Sequence, residues 1–115
     1  MIEKEEGANF WLAVFSIWML ECLGTTGLVY TINMTGNHPI GNCMMLLALL
    51  MITGPITGGH LNPAVSTAVF IIRYKNGFVR NIGWLLLYLT AEYVGAFIAI
   101  LCASISKGLQ IGGVA

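Results

Sequence analysis

The chain has 115 residues, 57% of them hydrophobic and only 9% charged, with five basic and five acidic residues that balance to zero. Soluble domains carry roughly 25% charged residues, and a chain this poor in charge cannot cover its surface with polar groups. The neutral balance also lacks the basic footprint of a nucleic-acid binder, so the chain belongs in a lipid bilayer.

Residues 1–9 form an acidic amino-terminal tail without arginine. It resembles neither a transit peptide nor a cationic signal sequence, so the first apolar helix is expected to act as its own insertion signal. That helix is expected over residues 10–32. The run Phe10–Ile32 has 23 residues and is broken only by Glu21 and a Gly24–Gly27 patch; at 1.5 Å per residue it can cross about 30 Å of hydrocarbon. A turn-rich connector follows, Asn33–Pro39, and then a second helix over residues 40–56, 17 residues long and at the short end of the spanning range. Residues 57–72 are different. Gly58–Asn62 interrupts, and Pro63–Ile72 is an apolar run of only ten residues, half a bilayer as a helix. The connector Arg73–Asn81 carries three of the five basic residues; the last helix is expected over residues 82–106, and a glycine-rich tail over residues 107–115.

Ten residues cannot span, so the third run enters the membrane and returns on the same side. The fold class expected is an all-α membrane protein of three transmembrane helices and one re-entrant half-helix. The amino terminus and the 73–81 connector then share a side, with Lys4, Arg73, Lys75 and Arg80 against Lys107 alone on the other. The positive-inside rule makes that side the inner one. The sequence does not specify which membrane receives the chain.

Non-helical backbone is tolerated at membrane depth only where protein buries it or a wet cavity meets it. An Asn-Pro pair starts helices in soluble proteins too, but here it stands between a full span and a half-length helix. Gly58 and Gly59 allow successive carbonyls to point one way. Asn62 is a good N-cap and Pro63 suits the first helical position, which sets the positive end of a short helix near mid-bilayer. Such a lining of carbonyl acceptors and one amide donor suits water or another neutral molecule better than a cation.

Other residues are weighed against plainer roles. Glu21 and Glu92 are intramembrane carboxylates that would cost about 3 kcal/mol if exposed to lipid; buried hydrogen-bonded braces are preferred to a proton relay. His60 has no second ligand at metal spacing and is read as a histidine packed beside the Asn-Pro turn. Cys22, Cys43 and Cys102 are read as small hydrophobes, and the methionines as packing or lipid-facing groups. Asn33-Met34-Thr35 is a glycosylation sequon too close to the first helix to be modified. Gly54–Gly58 has small-xxx-small spacing, read as packing within the chain. No cofactor, metal set or nucleophile–base pair is present in the sequence, and an enzyme is not expected.

TGGHLNPAVS, from Thr57 to Ser66, closely resembles the first NPA box of the major intrinsic protein family, the aquaporins and glycerol facilitators. Glu21-Cys22-Leu23-Gly24-Thr25-Thr26 resembles that family's glutamate-bearing first helix, and YLTAEYVGAFIA, from Tyr88 to Ala99, its third helix. The match extends over about residues 10–106. The resemblance implies that Asn62 donates its amide to the permeating molecule and that Pro63 and Ala64 form a cap meeting an inverted counterpart. It makes the carbonyls of Gly58, Gly59 and His60 an acceptor ladder and Glu21 a brace for the re-entrant loop. Glu92 stands where the family often keeps a neutral amide. Twenty residues before Asn62 the family places a filter aromatic, and here Asn42 occupies that position, which leaves the choice between water and glycerol open.

Family members carry two inverted halves, each with its own box, whereas one box occurs here and the filter arginine of the second half is absent. The expectation is therefore half of a channel for water or small neutral solutes, completed by a second half. With four basic residues on one side against one, a distinct partner or a longer natural chain is favoured over an inverted copy of itself. The alternative is a pore-less accessory subunit of a larger membrane complex. The partners expected are membrane lipid and a second inverted half or other membrane subunits, and no nucleic acid.

Overall fold

The structure is a computed structural model that describes the backbone of residues 2–113 and the side chains of residues 7–109. Four α-helices form in chain order: α1 over Ile2–Met34, α2 over Pro39–Thr57, α3 over Pro63–Arg73 and α4 over Phe78–Gly113. A short 3₁₀ turn, Tyr74–Asn76, links α3 to α4. Among the described residues there is no strand. Three segments are long and apolar enough to cross a membrane, Gly7–Met34, Pro39–Thr57 and Phe78–Leu109. The 11 residues of α3 reach about 16 Å, roughly half of a hydrocarbon core. The architecture is an all-α membrane protein of three spanning helices and one re-entrant half-helix.

The helices run past the apolar stretches that announced them. The expected tail over residues 1–9 is helical from Ile2, and the expected tail over residues 107–115 continues α4 to Gly113. Met1, Val114 and Ala115 of those tails lie outside the described residues. Hydrophobicity marks where a helix meets lipid, while Glu, Lys and Leu continue helical hydrogen bonding at little cost beyond it. The connector 73–81 is likewise mostly helical. Its break is at Gly77, whose φ of 107° is open to glycine and strained for other residues.

α1 packs chiefly on α4, α2 packs on α1, and α3 packs on α4. The α1–α4 crossing is close at Gly95, where a Cβ would strike the backbone carbonyl of Cys22 and approach Thr25 Cβ to 3.1 Å. The Thr26 hydroxyl lies between the carbonyls of Cys22 (2.7 Å) and Gly95 (3.0 Å). Trp18 Nε1 donates to Thr90 Oγ1 at 3.1 Å, and the Tyr30 and Ser106 hydroxyls meet at 3.1 Å. Small residues at the seam and hydroxyl bonds across it are how helices associate where burial of apolar surface supplies no drive.

The interior is correspondingly small and polar. Its buried residues are Cys22, Leu61, Ala91, Ala99 and Ala103 together with Glu21, Thr25, Thr53, Thr57, Ser66 and Glu92. Large apolar side chains such as Phe97, Ile72 and Met51 lie outside, where lipid replaces water as the solvent. Cys22 is buried, whereas Cys43 and Cys102 sit on that apolar exterior.

Candidate functional site

The site is built at the point where helical hydrogen bonding stops. α2 ends on Gly58, a left-handed cap with φ 88° whose N–H donates to the Gly54 carbonyl. Gly59 follows at φ 62° and Leu61 at φ 53°. Positive φ is uncommon for a residue with a branched side chain, and Leu61 is held there by its surroundings. It is 2% exposed, and its side chain fills the space that a Cβ on Gly24 would occupy. Gly59 is closed in by Leu50, Thr53 and the Gly54 Cα. The close packing here falls on Gly59 rather than on the Gly54–Gly58 pair, since a Cβ on Gly54 would meet nothing within 4 Å and one on Gly58 only the His60 ring at 3.5 Å.

Asn62 then starts α3 with extended backbone. Its Oδ1 accepts from the Ala64 N–H at 2.8 Å, and Pro63 takes the first helical turn, where no N–H is needed. With Oδ1 committed to Ala64, the side-chain NH2 of Asn62 is left outward, on an exposed residue. The carbonyls of Gly58, Gly59 and His60 accept no hydrogen bond among the described residues. One donor and a run of acceptors are therefore unclaimed by the protein at the same place.

Two buried carboxylates hold this turn. Glu21, fully buried, stands at the middle of the run Phe10–Ile32. Its Oε1 accepts from the Thr57 hydroxyl (2.5 Å) and the His60 N–H (3.1 Å), and its Oε2 from the Leu61 N–H (2.7 Å). The Thr57 hydroxyl in turn accepts from the Gly59 N–H at 3.0 Å. Bonds to a charged acceptor are worth more than neutral ones, about 1.5–3 kcal/mol each. Glu92, also fully buried, enters from α4 and accepts from the Ser66 hydroxyl at 2.7 Å; its Oε2 makes no hydrogen bond among the described residues.

With its one proton given to Glu92, Ser66 Oγ accepts from His60 Nδ1 at 2.8 Å. In the neutral imidazole with the proton on Nδ1, Nε2 of His60 is then an acceptor. The imidazole stacks on Tyr88 with ring centroids 4.3 Å apart, and the Tyr88 hydroxyl donates to the Thr57 carbonyl at 2.5 Å. On the connector side of the turn lies a cleft of about 320 Å³, lined among others by Thr57, Gly58, His60, Arg73, Asn81 and Trp84. Among the described residues no group of three metal-ligating side chains assembles.

The structure thus gathers Gly58, Gly59, His60, Asn62, Pro63 and Ala64 at one locus, with Glu21 and Glu92 behind them. Asn42 is not among them. It lies near the start of α2, where it accepts from Thr35 Oγ1 (3.2 Å) and donates to Asn37 Oδ1 (2.8 Å), fastening the α1–α2 connector. The sequon residue Asn33 is inside α1 and donates to the Val29 carbonyl at 2.8 Å. Sequence reasoning assigned no part to Thr57, Ser66 or Tyr88. The available signal was spacing: Thr53 and Thr57, and Tyr88 and Glu92, stand four apart and so share a helix face.

A family profile described as "Major intrinsic protein" matches residues 10–112. Among curated proteins, Aquaporin PIP2-7 of Musa acuminata is 37% identical over 66 residues. That match covers 57% of this chain and 21% of the relative's length, so the chain spans well under half of that relative. No solved structure matches. Three spanning helices, a half-helix begun by Asn62-Pro63-Ala64, and a profile that covers nearly the whole sequence agree: the chain belongs to the major intrinsic protein family.

Proposed function

We propose that the chain supplies one half of a channel for water or small neutral solutes, and that a second half in the opposite orientation closes the pore. The observation that carries this reading is the end of α3, an outward Asn62 amide beside a run of unclaimed carbonyls. A neutral hydroxylic molecule both donates and accepts, so it can exchange its water partners for this pair. A cation meets the positive end of a helix instead. In this reading Asn62 contacts the permeant, Pro63 and Ala64 form the cap that faces the second half, and Gly58, Gly59 and His60 line the approach. Glu21 and Glu92 brace them. Asn42, at the far end of α2, flanks the mouth of such a pore.

The surplus of Lys4, Arg73, Lys75 and Arg80 over Lys107 supports an amino terminus and 73–81 connector on the inner face. The same imbalance favours a distinct second half, or further sequence in one chain, over an inverted copy.

Stopped-flow osmotic shrinkage of vesicles reconstituted from the chain's own membrane tests the reading. Protein-dependent flux is expected, and Asn62→Ala should lower it about fivefold, the effect of one hydrogen bond of about 1 kcal/mol. Shrinkage no faster than that of empty vesicles, or unchanged by Asn62→Ala, sinks the channel and favours a pore-less accessory subunit.

A further inference from the structure

A second concavity lies apart from the Asn-Pro-Ala turn, between the first turns of the apolar parts of α1 and α4. It has a volume of about 420 Å³ and is lined by Phe10, Trp11 and Val14 of α1 and by Arg80, Gly83, Trp84 and Leu87 of α4. Arg80, Gly83, Trp84 and Leu87 fall at i, i+3, i+4 and i+7, so one face of α4 supplies one wall. Phe10, Trp11 and Val14 supply the other wall, and Phe10 meets Trp84 edge to face at 6.4 Å.

Three features specify what fits. Position is the first: Phe10 and Gly83 stand at the beginning of their apolar runs, beside the basic connector, which is the level where headgroups give way to hydrocarbon. Tryptophans at that level are the usual interfacial residues. Charge is the second. On the α4 side Arg73, Lys75 and Arg80 fall close together with no Asp or Glu between Glu21 and Glu92, while Glu3, Glu5 and Glu6, with Lys4, precede Phe10 on α1. Among the described residues Arg80 makes one hydrogen bond, from Nη2 to the Asn76 carbonyl at 3.0 Å, which leaves most of its five donors available. The third is space, since a Cβ built on Gly83 meets nothing within 4 Å.

We propose that this groove binds an anionic phospholipid, with the phosphate on Arg80 and the upper part of one acyl chain between Trp11 and Trp84. Guanidinium recognises a phosphate through paired N–H donors, and the apolar walls below it exclude the headgroup and accept methylenes.

Tryptophan fluorescence of the full chain in vesicles tests the proposal, with brominated phosphatidylglycerol or brominated phosphatidylcholine as quencher. Occupancy by the anionic lipid is expected to exceed that by the zwitterionic one about fivefold, the usual effect of one arginine at an anionic surface. Arg80→Gln should abolish the preference and Arg80→Lys retain part of it. Arg73→Gln, which removes the same charge outside the groove, should leave it intact. Gly83→Leu puts a side chain into the space, starting from a Cβ that meets nothing within 4 Å, and should reduce quenching by both lipids. Equal quenching by the two lipids in the unaltered chain overturns the proposal. So does an equal loss with Arg73→Gln and Arg80→Gln, which would indicate diffuse attraction. Quenching that Gly83→Leu does not change places no acyl chain there and also overturns it.

Discussion

At the scale of single residues, the two intramembrane carboxylates were the most legible part of the site. A carboxylate costs too much in lipid to lack a purpose, so Glu21 and Glu92 had to find donors. Thr57 and Ser66 carried no such signal, because a hydroxyl in an apolar helix can satisfy itself on the carbonyl four residues back. Ser16, Thr53 and Thr67 all do so, and nothing in the sequence separates them from Thr57 and Ser66, which reach across the fold. The Glu21 arrangement gives a direct prediction. Glutamine at this position keeps the shape but has one acceptor oxygen, so its NH2 must face either the Leu61 N–H or the donors of Thr57 and His60. Glu21→Gln is expected to cost about 2–3 kcal/mol, read as a lowered thermal midpoint in lipid or detergent. A midpoint equal to that of the unaltered chain would remove Glu21 as the brace.

At the scale of elements, existence and order were plain from apolar run length, and ends were not. Length decided that Pro63–Ile72 could not span, and the 11-residue α3 follows from that limit. The ends of α1 and α4 were obscured because the measure used was hydropathy, which records lipid contact, whereas helices stop where a backbone conformation changes. Gly77 and Gly58 are such places, and only Gly58 stood in a motif that drew notice. Glycines inside the helices differ just as sharply in what they do. Gly95 admits the Cys22 carbonyl, a backbone atom that cannot step aside, while a Cβ on Gly27 would make ordinary contact with Leu49 at 3.7 Å. Gly95→Ala is therefore expected to destabilise the α1–α4 pair by about 1–3 kcal/mol through overpacking. Gly27→Ala should be neutral or stabilise by up to about 1 kcal/mol through helix propensity. Thermal melts of the two variants compare them directly, and equal effects would mean that the close crossing at Gly95 is not a constraint.

At the scale of the whole molecule, the arrangement of charge matters more than its amount. Among the described residues the chain buries Glu21, Glu92, Thr25, Thr53 and Thr57 with small residues and presents Phe, Ile, Leu and Met outward, so lipid contact stabilises a surface that water would not. That inside-out pattern leaves orientation to a handful of exposed cations. Arg73, Lys75 and Arg80 surround one short connector, and Lys107 stands alone toward the far end of α4. Two exposed positions report the sides: Asn76 in the 3₁₀ turn and His38 in the α1–α2 connector. In a background without Cys22, Cys43 and Cys102, Asn76→Cys is expected to react with an impermeant maleimide only from the inner face, and His38→Cys only from the outer. Replacing Arg73, Lys75 and Arg80 together by glutamine removes the surplus that fixes the orientation, so both positions should then label from both faces. If His38→Cys and Asn76→Cys label from one common side, the combination of a crossing α2 and a re-entrant α3 is overturned.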